Sequence, residues 1–105
     1  MLMVIGCSTE TVPTDIMDEP QMVEFLMDLH LSEAAVQDLR LKPDSANVVF
    51  ATVEKYLYKK HKITDSLFYN SYNYYLDHPV ILEEIYSAVI DSLTLREVLL
   101  RESDD

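Results

Sequence analysis

Three side chains on one helical face, His30, Glu33 and Gln37, have the types and spacing to do chemistry. An imidazole and a carboxylate three residues apart meet on an α-helix surface, where they can share a proton or ligate a metal. Helical bundles with paired metals use such a motif, but they repeat it and add carboxylates from facing helices. No second motif is present, so no metal and no cofactor is expected. The favoured reading is a polar network that fixes how the helices register, with a partner-contacting strip as the alternative. Glu33 falls inside the apolar stripe between Leu29 and Val36. It is therefore expected to be buried and bonded to a tyrosine hydroxyl or a basic side chain of a neighbouring helix. His61 and His78 fall at helix boundaries and suit capping, and Glu83-Glu84 suit the positive end of a helix dipole. No serine, histidine and acid are spaced to suggest a nucleophile, so no catalytic residue is assigned and no enzyme is expected.

Seven tyrosines form the second feature, four of them within Tyr69-Asn70-Ser71-Tyr72-Asn73-Tyr74-Tyr75. Helical spacing points Tyr72 and Tyr75 at the core and leaves Tyr69 and Tyr74 on its flanks. There they either cover the core rim with their hydroxyls in water or form a partner-binding patch.

Val4-Ile5-Gly6-Cys7 carries the only glycine and the only cysteine of the chain. An apolar residue, a spacer, a small residue and then cysteine is the pattern that lipoprotein signal peptidase cleaves. Several fatty chains on that cysteine, at about 0.8 kcal/mol per buried CH₂, make a lasting anchor. Only six residues precede Cys7 and none is basic, whereas a secretory signal carries a basic region and a longer apolar one. Two readings follow: further signal upstream of Met1, or an ordinary thiol. The polar, helix-poor stretch from Ser8 to Asp15 resembles a tether and favours the lipid reading. Serine after the cysteine favours the outer membrane, by analogy with lipoprotein sorting.

The elements that must position these residues are helices. The stretch from Pro20 to Arg40 places Met22, Phe25, Leu26, Leu29 and Val36 on one face, and Lys42-Pro43 is expected to stop it. Asp44 or Ser45 is expected to cap a second helix with Ala46, Val49, Phe50, Val53, Tyr56 and Leu57 on its apolar face, ended by Lys59-Lys60-His61-Lys62. Thr64 or Asp65 opens a third through Leu76, with Phe68, Tyr72, Tyr75 and Leu76 inward. After Asp77-His78-Pro79 a fourth runs to about Arg101, with Ile81, Leu82, Ile85, Val89, Leu93 and Leu100 in a wide arc. Such an arc needs several neighbours. The expected fold is an all-α compact bundle of about four helices packed around the long C-terminal one. It comprises the end of a signal at 1–7, a flexible tether at 8–19, a helical domain at 20–101 and a frayed end at 102–105.

Composition narrows the function classes. Nineteen acidic against eight basic residues give a formal charge of −11. That balance repels phosphate backbones and anionic head groups, so no nucleic acid is expected as a partner. The helical part has no glycine, which removes phosphate-cradling loops and nucleophile elbows.

Leu26-Met27-Asp28-Leu29-His30-Leu31-Ser32-Glu33-Ala34 resembles the opening helix of a family of small bacterial lipoproteins, domain of unknown function 4296. Lys59-Lys60-His61-Lys62-Ile63-Thr64, then Phe68, Ser71 and Tyr75, then His78-Pro79 and Ile85-Tyr86 follow in the same order across roughly residues 20–95. The resemblance implies a Gram-negative lipoprotein and supplies no activity, ligand or catalytic residue. The expected role is a non-enzymatic interaction or scaffold module, lipid-anchored through Cys7 in the cell envelope beside an envelope protein partner. A periplasmic peptide-binding, chaperone-like helper is the alternative, and an exposed apolar groove would speak for it.

Overall fold

The computed structural model describes residue 13 and residues 15–104. Four helices follow in order: α1 Glu19–Asp38, α2 Pro43–Lys60, α3 Asp65–Leu76 and α4 Pro79–Asp104. The described residues contain no strand. The chain is an all-α bundle.

Local chemistry sets each start. Asp18 and Gln21 close a reciprocal capping box, Asp18 Oδ1 accepting from the Gln21 N–H at 2.9 Å and Gln21 Oε1 accepting from the Asp18 N–H at 3.0 Å. Thr64 Oγ1 accepts from the Leu67 N–H at 3.0 Å and opens α3 as expected. Pro43 differs from expectation. It begins α2 at the first helical position, with Lys42 as an extended N-cap, where Asp44 or Ser45 was expected to cap. The ring presets the helical φ, and the missing N–H costs nothing in a first turn. α4 also continues to Asp104, beyond the expected end at Arg101.

Two helices end without glycine. Arg40 and Lys62 both take positive φ, 51° and 56°, just past the ends of α1 and α2. At Lys62 the Ile63 N–H bonds the Tyr58 carbonyl at 2.9 Å and the Lys62 N–H bonds the Lys59 carbonyl at 3.1 Å. This is a Schellman ending with lysine where glycine is usual.

The core gathers at one end of the bundle. Met17, Met22, Phe25, Leu26, Leu57, Phe68, Tyr75, Ile85 and Val89 form a single buried cluster. Phe25 is its hub, stacked on Tyr58 with ring centroids 5.6 Å apart, tilted against Phe68 at 4.6 Å and meeting His61 edge-on at 5.2 Å.

Three details differ from the sequence reading. α1 packs against both α2 and α4, and α4 packs against α1 and α3, so the chief neighbour of α2 is α1 and not the C-terminal helix. Met17, in the stretch read as a tether, is buried. Its N–H donates to Ser71 Oγ at 2.8 Å and its carbonyl accepts from the Tyr75 hydroxyl at 2.7 Å. Tyr56, Leu76 and Leu100, expected inward, are each at least half exposed. The long dimension of the molecule, 56 Å against 38 and 23 Å, reflects helices that outrun their neighbours.

Candidate functional site

The sequence-derived polar strip on α1 forms only in part. His30 Nδ1 donates to Glu33 Oε1 at 3.0 Å, and the His30 ring lies 6.1 Å from that of Tyr86 on α4. Both side chains of the pair are nearly half exposed. The expectation that Glu33 is buried and bonded to a neighbouring helix is therefore corrected: its partner is His30, on its own helix. Gln37 is exposed, and its carbonyl takes part in the helix ending by accepting from Arg40 N–H at 3.0 Å. Tyr69 and Tyr74 do not join this strip. Tyr74 stacks on His78 at 4.2 Å and meets Tyr75 edge-on at 5.1 Å, while His78 Nδ1 donates to the Tyr74 carbonyl at 2.8 Å. That is a helix-end role for His78. Tyr69 rests on Phe68 at 5.8 Å, half exposed. Cys7 lies outside the described residues.

The tie that joins α1 to α2 was not read from the sequence. Asp28 Oδ2 accepts from Lys60 Nζ at 2.9 Å and from His61 Nε2 at 2.8 Å. Burial alone would raise the Asp28 pKa, but the hydrogen bonds and charges of Lys60 and His61 outweigh it and hold the carboxyl below its usual value. Arg96 of α4 reaches the same hollow, beside Glu24 and Met27. Both halves of the tie stand in the quoted runs around Asp28 and Lys60-His61, yet nothing in a sequence sets them opposite each other.

The apolar face of α4 shows where the bundle is incomplete. Ile85 and Val89 are 1% exposed, Leu93 is half buried, and Leu95, Leu99 and Leu100 are 55–60% exposed. Hollows of about 410 and 350 Å³ open between α1 and this outer half. Met27, His30, Leu31 and Ala34 line them from α1, and Leu93, Leu95, Leu99 and Leu100 with Arg96 from α4. The helical period continues while the neighbour recedes, which also explains why Glu33, on the core-facing stripe of α1, reaches water.

A family model matches residues 13–98. The chain belongs to the family described as Domain of unknown function (DUF4296). Neither the curated proteins nor the solved structures yield a match. The DUF4296 match begins at residue 13, before α1, in keeping with Met17 as a docked part of the folded unit. Among the described residues of this DUF4296 chain, no three His, Cys, Asp or Glu side chains are grouped to hold a metal ion. Among the described residues no helix is long and apolar enough to cross a membrane. What the arrangement offers chemically is surface: apolar hollows, an acidic field and half-buried tyrosines.

Proposed function

We propose that this DUF4296 chain is a non-enzymatic interaction module of the cell envelope, held at the outer membrane by lipid on Cys7. Its outer α4 face takes an amphipathic helix from a partner protein, basic on its polar side. The observation that carries this reading is the α4 stripe that outlasts its cover: Leu95, Leu99 and Leu100 continue a face whose inner members, Ile85 and Val89, are buried. An apolar stripe that α1 flanks on one side but leaves open to water suits helix-in-groove docking. A formal charge of −11 favours a basic partner over a second copy, which would bring the same negative charge. The open hollow equally suits the narrower role of a peptide-binding helper, in which many sequences share one groove.

The test is photocrosslinking in cells of the source organism from a reactive amino acid at Leu99, with Val80 as control. Val80 is 73% exposed at the other end of α4. A discrete protein adduct from Leu99, absent from Val80 and lost when Leu95→Glu is added, is the expected result. Equal adducts from both positions would remove the α4 face from the proposal.

A further inference from the structure

We propose that the cup between α2 and α3 is a binding site for an organic cation, the guanidinium or ammonium of a basic side chain. The cup has a volume of about 470 Å³ and is lined by Ala51, Glu54, Tyr58, Thr64, Asp65 and Tyr69, with Lys55 also at its wall. Each helix contributes the same pair one turn apart: Glu54 with Tyr58 on α2, and Asp65 with Tyr69 on α3. Two carboxylates and two phenol rings around one hollow are the combination that attracts a cation, by charge and by the negative faces of the rings. Ala51 keeps the hollow open on the α2 side, where a longer side chain would fill it.

The surroundings fix the rings. Tyr58 is stacked on Phe25, its centroid is 6.5 Å from Phe68, and Tyr69 leans on Phe68. Four aromatic side chains thus run from the core hub to the surface, so the two tyrosines meet a ligand already held in place. Burial, the Tyr69 hydroxyl, and the Glu54 and Asp65 carboxylates all push the Tyr58 hydroxyl above the usual phenol range. The same negative field would favour a cation there.

An anion is the competing occupant, because α3 begins at the cup and its dipole points its positive end outward. The Ser66, Leu67 and Phe68 N–H groups of its first turn are already engaged. Thr64 Oγ1 takes the Leu67 N–H, and Asp65 Oδ1 takes the Ser66 N–H at 2.7 Å. Asp65 adds a full negative charge at the helix end. With Lys55 counted against Glu54 and Asp65, the cup keeps one net negative charge.

This site is separate from the α4 face and stands whether or not that face binds a helix. The experiment is an NMR titration of the whole chain with the peptide acetyl-Ala-Arg-Ala-amide, its lysine counterpart, tetramethylammonium and inorganic phosphate. Saturable shifts at Tyr58, Asp65 and Tyr69 with the arginine or lysine peptide are expected, and none with phosphate. Tyr69→Leu and Asp65→Asn should each weaken binding by about two- to fivefold, and together by about tenfold. Asp65→Asn is isosteric, Tyr69→Leu keeps an apolar side chain at a half-exposed position, and circular dichroism checks that the fold persists. Tetramethylammonium binding as tightly as the peptides would assign the cup to free quaternary ammonium ions and keep the cation chemistry. No saturable shift with any cation, or shifts that survive the double variant unchanged, would overturn the site.

Discussion

Replacing Tyr75 with phenylalanine isolates one hydrogen bond and asks whether the residues before α1 belong to the fold. Tyr75 is fully buried, and its hydroxyl donates to the Met17 carbonyl at 2.7 Å. The ring stays in Tyr75→Phe, so packing changes little. The loss is a buried carbonyl left without its donor, which costs about 1–3 kcal/mol. For a domain of this size each kcal/mol lowers the melting temperature by about 4–8 °C, so a drop of at least about 4 °C is expected. Ser71→Ala acts on the same segment, because Ser71 Oγ accepts from the Met17 N–H while donating to the Leu67 carbonyl at 2.6 Å. Once either bond is lost the segment loosens, and the double variant should cost less than the sum of the two single ones. Thermal unfolding by circular dichroism supplies the numbers, and hydrogen exchange at the Met17 amide supplies the local readout. A Tyr75→Phe protein that melts like the parent, with the Met17 amide still protected, would refute the reasoning and return residues 15–18 to the tether.

Asp28→Asn should cost about 1 kcal/mol near neutral pH by weakening the acceptor for Lys60 and His61. Because the folded Asp28 pKa lies below its ordinary 3.8, its contribution is complete above that value and fades as the pH falls through the folded one; acid unfolding of Asp28→Asn should lack this component. Burial, as the largest cause, pushes the Tyr75 and Tyr86 hydroxyls up to about 12 from 10. Raised phenols stabilise the fold fully below pH 10 and lose that effect as the pH climbs towards 12, so Tyr75→Phe should unfold less steeply in alkali than the parent. Lys62→Gly should stabilise the domain by about 0.5–1 kcal/mol in urea melts, since glycine adopts the positive φ of 56° without the side-chain clash.

Helix number and most boundaries were legible because they depend on local signals: the Thr64 cap, the Pro79 start and apolar residues at spacings of three and four. Pro43 was misread because proline both stops a preceding helix and starts a following one, and the short connection lets it do the second. The Asp28 tie to His61 was beyond reach, since 33 residues separate its ends and only tertiary packing sets them together. Met17 was hidden for a similar reason: its docking rests on Ser71 and Tyr75, far away in sequence, and Ile16-Met17 between Asp15 and Asp18 is too short an apolar pair to show a period. The candidate site was legible only as an ingredient list. Periodicity marks which face of α4 is apolar, but not how far α1 accompanies it, so Leu100 read as core and Glu33 as buried. Tyr69 was singled out by its flank position, whereas its counterpart Tyr58 lies on another helix and met it only in the folded chain.

The most direct test of the α4 account is the stability of Leu95→Glu/Leu99→Glu, measured on the purified protein alongside crosslinking from Leu100. If this face is partner surface and not core, the pair should change unfolding free energy by no more than about 0.5 kcal/mol per site and abolish the crosslink, whereas Ile85→Glu should unfold the domain. A loss of several kcal/mol from the outer pair would make those leucines part of the chain's own core, and a crosslink that persists would place the partner elsewhere; either result would contradict the account.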